Sequence, residues 1–254
     1  MKIISWNVNG IRAAQKKGLL EWLAEESPDI LCVQETKANP DQLDTALLKP
    51  SGYQVFFNSA QRKGYSGVAT FTKQKPIQVK TGFGVERFDA EGRVLLTEYP
   101  QFTLLNIYFP NGKQRQERLE YKLDFYEETL KFVGNLKSQG KRVIISGDYN
   151  TAHKPIDLAR PKENEKISGF LPIERAWLDK WVENGQVDIF REFCTSPDQY
   201  TWWDMQTRAR DRNVGWRIDY HFVTRDLVGY VQRAAILNHV LGSDHCPVSL
   251  ELNV

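Results

Sequence analysis

The sequence predicts a layered domain of the α/β or α+β class, and three observations carry that expectation. Short β-type runs cluster in each half of the chain, amphipathic helical stretches lie between them, and several apolar runs stop abruptly on acidic or amide side chains. Strand sets covered by helices follow from the first two. The third places a polar crevice where the strand ends meet.

Along the chain, Ile3–Trp6 forms a short strand that reaches Asn7 and Asn9, and Gly10 releases a basic segment, IRAAQKKG. A helix is predicted from about Leu19 to Glu26, ended by Ser27, Pro28 and Asp29. ILCVQ is apolar up to its last residue, as in a strand covered on both faces, and delivers Glu35. Asn39 followed by Pro40 predicts a cap and first turn of a helix running to about Leu48. From Tyr53 to Tyr108, five β-type runs separated by KGYSG, KQKP, FDAEG and PQ predict antiparallel strands. Leu119, Leu123, Tyr126, Leu130 and Val133 recur at helical spacing and predict a long helix over Gln116–Gln139, closed by Gly140. The VIIS strand then stops on Gly147 and presents Asp148 and Asn150, two residues apart and on one face of an extended chain. A helix over Ile173–Asn184 precedes YTWW, NVGWRIDYHFV, VQRAAIL and CPVSLEL, all of β type, with Asp219 closing the VGWRI run.

No linker, repeat or low-complexity tract divides the 254 residues, so a single domain over 1–254 is expected. A net charge of +2 permits a polyanionic partner without requiring one. Cys32, Cys194 and Cys246 form no CxxC pair, and an odd count cannot pair fully, which fits a reducing compartment. Polar Asn7 leaves no room for a signal-peptide apolar region, and no apolar run reaches about 18 residues, so a cytoplasmic protein without membrane contact is expected.

The strand-end acids Glu35, Asp148, Asp219 and Asp244, with Asn7, Asn9 and Asn150, make an oxygen-rich set suited to Mg²⁺. Zinc is disfavoured, because the Cys and His residues lack its usual ligand spacing. His245 beside Asp244, with Asp219 as a partner that fixes its tautomer, is the functional histidine. His221, His153 and His239 are expected to be packed or surface residues. Tyr65, Trp202, Trp203 and Trp216, interleaved with Arg208, Arg210, Arg212 and Arg217, offer rings for bases or sugars and cations for phosphates.

ISWNVNGIRA, CVQETK, NIYFPNGK, SGDYNTAH, NVGWRIDY and GSDHCP, in this order and spanning nearly the whole chain, resemble the exonuclease III type of apurinic/apyrimidinic endonuclease in the endonuclease/exonuclease/phosphatase superfamily. The resemblance implies a four-layer αββα sandwich of two mixed β-sheets flanked by helices. It also implies a monomeric DNA repair enzyme that uses Mg²⁺, with Mn²⁺ able to substitute, to cleave duplex DNA on the 5′ side of an abasic site, leaving a 3′ hydroxyl. Further expected activities are 3′ to 5′ exonuclease cleavage and incision at damaged nucleotides.

By position, the resemblance makes Glu35 the main metal ligand with Asn7 and Asp244 nearby, and lets Asp148, Asn150 and His245 frame a second metal site. Asp148 would orient or deprotonate the attacking water, Asn150 hold that water or a phosphate oxygen, His245 contact the phosphate, and Tyr108 donate to the phosphate or assist the leaving oxygen. Arg12, Lys17 and Tyr65 would face the DNA backbone, Asn111 and Asn164 the phosphate, and Trp202, Trp216 and Ile218 the extruded abasic sugar. Asn9 replaces an Asp of many relatives. Gln114 and Gln206 stand where some members carry an Arg and a Met that wedge into the duplex. Rival readings are a lipid or inositol phosphodiesterase and a DNA-binding module without activity.

Overall fold

The structure, a computed structural model, describes residues 1–113 and 115–254. The chain runs through β1 (Lys2–Asn7), α1 (Ile11–Gln15), α2 (Leu19–Glu26), β2 (Ile30–Gln34), α3 (Thr45–Leu48), β3 (Gln54–Asn58), β4 (Val68–Thr72), β5 (Gln78–Thr81), α4 (Glu86–Asp89), β6 (Val94–Glu98) and β7 (Thr103–Tyr108). It continues through α5 (Gln116–Ser138), β8 (Val143–Asp148), α6 (Pro161–Asn164), α7 (Pro172–Glu183), β9 (Gln186–Asp188), α8 (Ile189–Phe193), β10 (Trp202–Trp203), β11 (Gly215–Trp216), β12 (Asp219–Thr224), β13 (Val231–Ile236) and β14 (Val248–Leu252). One six-stranded sheet has the order β13-β14-β1-β2-β4-β3 and the other β5-β6-β7-β8-β12-β9.

Alternation along the strands explains the four layers. In β1 and β2, Ile3, Ile30 and Cys32 face the second sheet and pack with Leu104, Ile144 and Val223. Ile4, Trp6, Leu31 and Val33 point the other way, onto Ile11, Ala14, Leu19 and Leu23 of α1 and α2. On the far side, Leu105, Ile107, Ile145 and Phe222 meet Phe125, Tyr126 and Val133 of α5 and Trp177, Leu178 and Trp181 of α7. The result is the αββα sandwich with two mixed sheets that the resemblance implies.

Most pairings are antiparallel, but β1 with β2 and β7 with β8 are parallel. Asn7 meets Asp148 and Tyr108 meets Glu35 across the two sheets, so the carboxyl ends of those four strands lie at the same rim. β12 runs antiparallel to β8 with Asp219 opposite Asp148, so its first residue joins them.

Several local expectations are corrected. The basic segment after Gly10 includes the short helix α1. The helix expected from Pro40 to Leu48 is a 3-10 turn over Pro40–Gln42 followed by α3, because the Asp44 side chain caps Leu47 N at 3.0 Å and restarts the helix. The five strands between Tyr53 and Tyr108 do pair antiparallel as expected, but β3 and β4 belong to the first sheet and β5 to β7 to the second, and α4 lies within the segment. NVGWRIDYHFV breaks into β11 and β12, so Asp219 opens a strand instead of closing one.

Candidate active site

Gly147 places Asp148. With φ of 150°, it lies against β7, and a Cβ there would come within 1.8 Å of the Ile107 carbonyl oxygen. Only a residue without a side chain lets β7 and β8 approach closely enough to set Tyr108 opposite Asp148. Asn150 then reaches Asp148 by a turn. Its φ of 52° is left-handed, and its backbone N–H donates to Asp148 Oδ1 at 2.8 Å while its side-chain amide donates to Asp148 Oδ2 at 3.2 Å. The expected strand alternation at Asn150 is therefore replaced by an Asx-type turn with the same outcome.

Asn7, at the end of β1, donates to Asp148 Oδ2 at 2.9 Å, while His245 Nδ1 lies 2.8 Å from Asp219 Oδ2 and its Nε2 is 4.0 Å from Asp148 Oδ2. Ligand-capable atoms of Asp148, Asp219 and His245 all lie within 4.8 Å of one another. Asp219 Oδ2 also accepts from Thr201 Oγ1 at 2.6 Å, whereas its buried Oδ1 meets no donor among the described residues. Asp219 thus does more than orient the imidazole; it belongs to the cluster.

Glu35 follows β2 in a left-handed conformation, ion-paired to Lys37 at 2.6 Å and accepting from the Tyr108 hydroxyl. Asp244 accepts from Asn9 Nδ2 at 3.0 Å and from Trp202 Nε1 at 3.0 Å. Asn9 is therefore spent on holding an acid.

The electrostatics follow from burial. Desolvation, with the Asp219 charge beside it, raises the Asp148 carboxyl to about 7. Burial alone would neutralise His245, but the Asp219 carboxylate outweighs it and raises the imidazole to about 10, so this histidine is charged at neutral pH. Burial would raise Glu35 as well; Lys37 reverses that and holds it below the ordinary value.

Glu35, Asn111, Asp148, Asn150, Trp202, Trp216, Ile218, Asp244 and His245 line one cavity of about 200 Å³, with Asn7, Tyr108 and Asp219 behind its wall. Lys113, Ser168 and Gly169 also line it and were not singled out in the sequence. Lys113 Nζ lies 5.4 Å from the Trp202 ring and 5.9 Å from the Trp216 ring. Gly169 has φ of 102°, and a Cβ there would press on the Trp216 ring at 3.1 Å and the Asn150 carbonyl at 3.2 Å.

The remaining predicted residues lie outside this cavity. Arg12 lines a neighbouring groove with Lys16 and Lys37, and Lys17 donates to the Gly242 carbonyl at 3.0 Å. Tyr65 sits among Arg93, Arg118 and Glu91. Asn164 turns its amide back onto the Arg160 carbonyl at 2.7 Å. Gln206 is exposed; Gln114 lies outside the described residues. Arg217 is no surface cation, since it is buried and bound to Asp157 and Asp188. His221 is buried between Ser146 Oγ at 2.7 Å and the Val248 carbonyl at 3.0 Å.

The donors fit a hard divalent cation. Carboxylate and amide oxygens dominate, the nitrogens of His245 both face carboxylates, and Asp219 Oδ1 lacks a donor partner among the described residues.

Fold and site together define a phosphoesterase class. The endonuclease/exonuclease/phosphatase family pattern matches residues 4–245, and the chain belongs to that family. It is 45% identical over 256 residues to an exodeoxyribonuclease of Bacillus subtilis, covering 100% of both chains. It is 38% identical over 257 residues to a DNA-(apurinic or apyrimidinic site) endonuclease of Dictyostelium discoideum, covering 100% of this chain and 71% of that one. A solved structure of an Asp-to-Asn variant of the 3′ phosphatase NExo from Neisseria, bound to a product DNA hairpin, is similar with TM-score 0.91 and 26% identity, covering 100% of both chains. Within the family the chain groups with the exodeoxyribonucleases and apurinic/apyrimidinic endonucleases. Among the described residues, no helix is long and apolar enough to cross a membrane.

Proposed function

We propose that residues 1–254 act as one monomeric, Mg²⁺-dependent DNA repair endonuclease that hydrolyses the phosphodiester 5′ to an abasic site and leaves a 3′ hydroxyl, with 3′ to 5′ exonuclease activity from the same site. The observation that carries this reading is the meeting of Glu35, Asp148, Asp244 and His245 in one cavity whose other wall is Trp202, Trp216 and Ile218. The acids suit phosphate chemistry. The aromatic wall suits a sugar, and about 200 Å³ favours one without its base.

Glu35 and Asp244, with Asn7 close by, would hold Mg²⁺, which would supply neutralisation of charge on the non-bridging phosphate oxygens. Asp148 takes the proton from the attacking water; a carboxyl raised to about 7 is a competent base near neutral pH. Asn7 and Asn150 fix its two oxygens, and Asn111 donates to Asn150 Oδ1 at 3.1 Å, which holds the amide that faces the water. His245, kept cationic by Asp219, stabilises the phosphate as negative charge builds. Tyr108, released from Glu35, donates to the phosphate or the leaving oxygen. Arg12, Lys17, Tyr65 and Asn164 receive the DNA backbone around the cavity.

Labelled duplexes that are abasic, recessed, uracil-containing or undamaged, together with a phospholipid, test the reading in Mg²⁺ and in EDTA. Incision on the 5′ side of the abasic site in Mg²⁺ alone is expected. Intact abasic DNA with phospholipid turnover, or DNA binding without metal-stimulated cleavage, would overturn it.

A further inference from the structure

We propose that Arg93 is a positioning residue for cleavage, acting through Tyr108; the inference rests on the role given above to Tyr108. Val94 pairs with Ile107, and Tyr108 N donates to the Arg93 carbonyl at 2.9 Å, so Arg93 and Tyr108 form the next cross-strand pair at the rim and share a face. The Arg93 side chain is only 2% exposed. Its Nε meets Glu91 at 2.6 Å, its Nη1 donates to the Tyr108 carbonyl at 3.0 Å, and its Nη2 donates to the Tyr65 hydroxyl at 3.0 Å. The guanidinium carbon stands 4.5 Å from the centre of the Tyr108 ring. The Tyr108 hydroxyl donates in turn to Glu35.

An apolar side chain could fill this space without the desolvation cost of a guanidinium. What the guanidinium adds is a planar fork that grips the Tyr108 residue at its carbonyl and at its ring face, leaving the hydroxyl one direction to point. Its charge is not fully balanced locally, because Glu91 also serves Arg118 at 2.8 Å. An excess cation therefore lies against the ring face of the residue whose hydroxyl is to serve the phosphate or the leaving oxygen. Displacement of a reacting group by about 1 Å costs on the order of 10²-fold in rate, which sets the size of the effect.

Single-turnover and steady-state cleavage of an abasic duplex are measured for Arg93→Met, Arg93→Lys, Tyr108→Phe and the Arg93→Met/Tyr108→Phe double variant, with melting temperatures alongside. Arg93→Met should lower kcat on the order of 10²-fold with little change in KM, and Arg93→Lys should recover part of that loss. In the Tyr108→Phe background, Arg93→Met should change kcat by less than about threefold, since its effect passes through the missing hydroxyl. If Arg93→Met does not fold, Arg93→Lys carries the same cycle. Retained kcat in the Arg93 variants, a change confined to KM, or losses that multiply in the double variant would overturn the inference while leaving the proposed function standing. Full activity of Tyr108→Phe would remove the role of Tyr108 itself, and the role of Arg93 with it.

Discussion

Two buried clusters of charge lie back to back around the Trp216–Ile218 segment, and they are built to opposite rules. Below it, Arg217 meets Asp157 at 2.8 Å and takes both oxygens of Asp188, at 3.1 and 2.6 Å, while Arg191 adds a contact to Asp157 at 2.6 Å. Two acids face two arginines there. Burial would raise the Asp157 carboxyl, yet Arg217 holds it down at about 2. Above it, in the cavity, four acids, Glu35, Asp148 and Asp244 backed by Asp219, face three cations, the His245 imidazolium and the Lys37 and Lys113 ammoniums, and Asp148 is raised to about 7. A compensated cluster holds the fold together. An acid-rich one marks the place where a cation and a phosphate belong.

The sharpest way to break this contrast is to remove one charge from each cluster. Asp148→Asn should reduce abasic-site cleavage on the order of 10³-fold with an unchanged or higher melting temperature, because it deletes a carboxylate that the fold must strain to bury. A parallel loss of melting temperature and rate would mean the residue is structural. Arg217→Met should do the reverse, lowering unfolding free energy by about 3–5 kcal/mol in denaturant titration by leaving Asp157 and Asp188 buried without their partner; a loss under about 1 kcal/mol would show the network to be idle. Acid sharpens the comparison further. The Asp157 pKa lies below the ordinary 3.8, so its ionised form stabilises the fold above that pH, and the contribution, about 2 kcal/mol, fades as pH falls toward 2. Stability measured across this window should fall in the wild type and lose that part of its slope in Asp157→Asn. The smallest effect is expected from Trp202→Phe, which deletes the indole donor to Asp244: cleavage at limiting Mg²⁺ should weaken by up to about tenfold, and an unchanged Mg²⁺ dependence would separate Asp244 from metal binding.

The same two clusters show what sequence could and could not convey. Helical periodicity places α5 to within a residue or two, because an apolar stripe at that spacing has few alternatives, and the bounds expected for α2 and α7 fall equally close. Polar residues at the ends of apolar runs located the rim, since parallel pairing carries those ends to one side. Arg217 reads from the sequence as a surface cation because it stands among aromatic residues, yet Trp216 and Ile218 line the cavity while a break between strands turns the residue between them the other way, which no local pattern reveals. The switch of sheets between β4 and β5 was hidden for the same reason, as one turn motif joins strands within a sheet or across sheets. Lys37 was within reach of the sequence, two residues after Glu35, but its ion pair depends on a left-handed backbone at both positions. Arg93 and Lys113 give no signal, because the aromatic partners that define them, Tyr65 and Tyr108 for Arg93 and the two tryptophans for Lys113, come from distant segments.

The central claim is that the cavity cluster is left acid-rich for a divalent cation. Melting temperatures with and without Mg²⁺, in wild type and in Glu35→Gln, test it most directly, since an ion that binds only the folded state stabilises it by mass action. Mg²⁺ should raise the wild-type melting temperature, and the shift should vanish in Glu35→Gln. An equal shift in both proteins, or none in the wild type, would contradict the account.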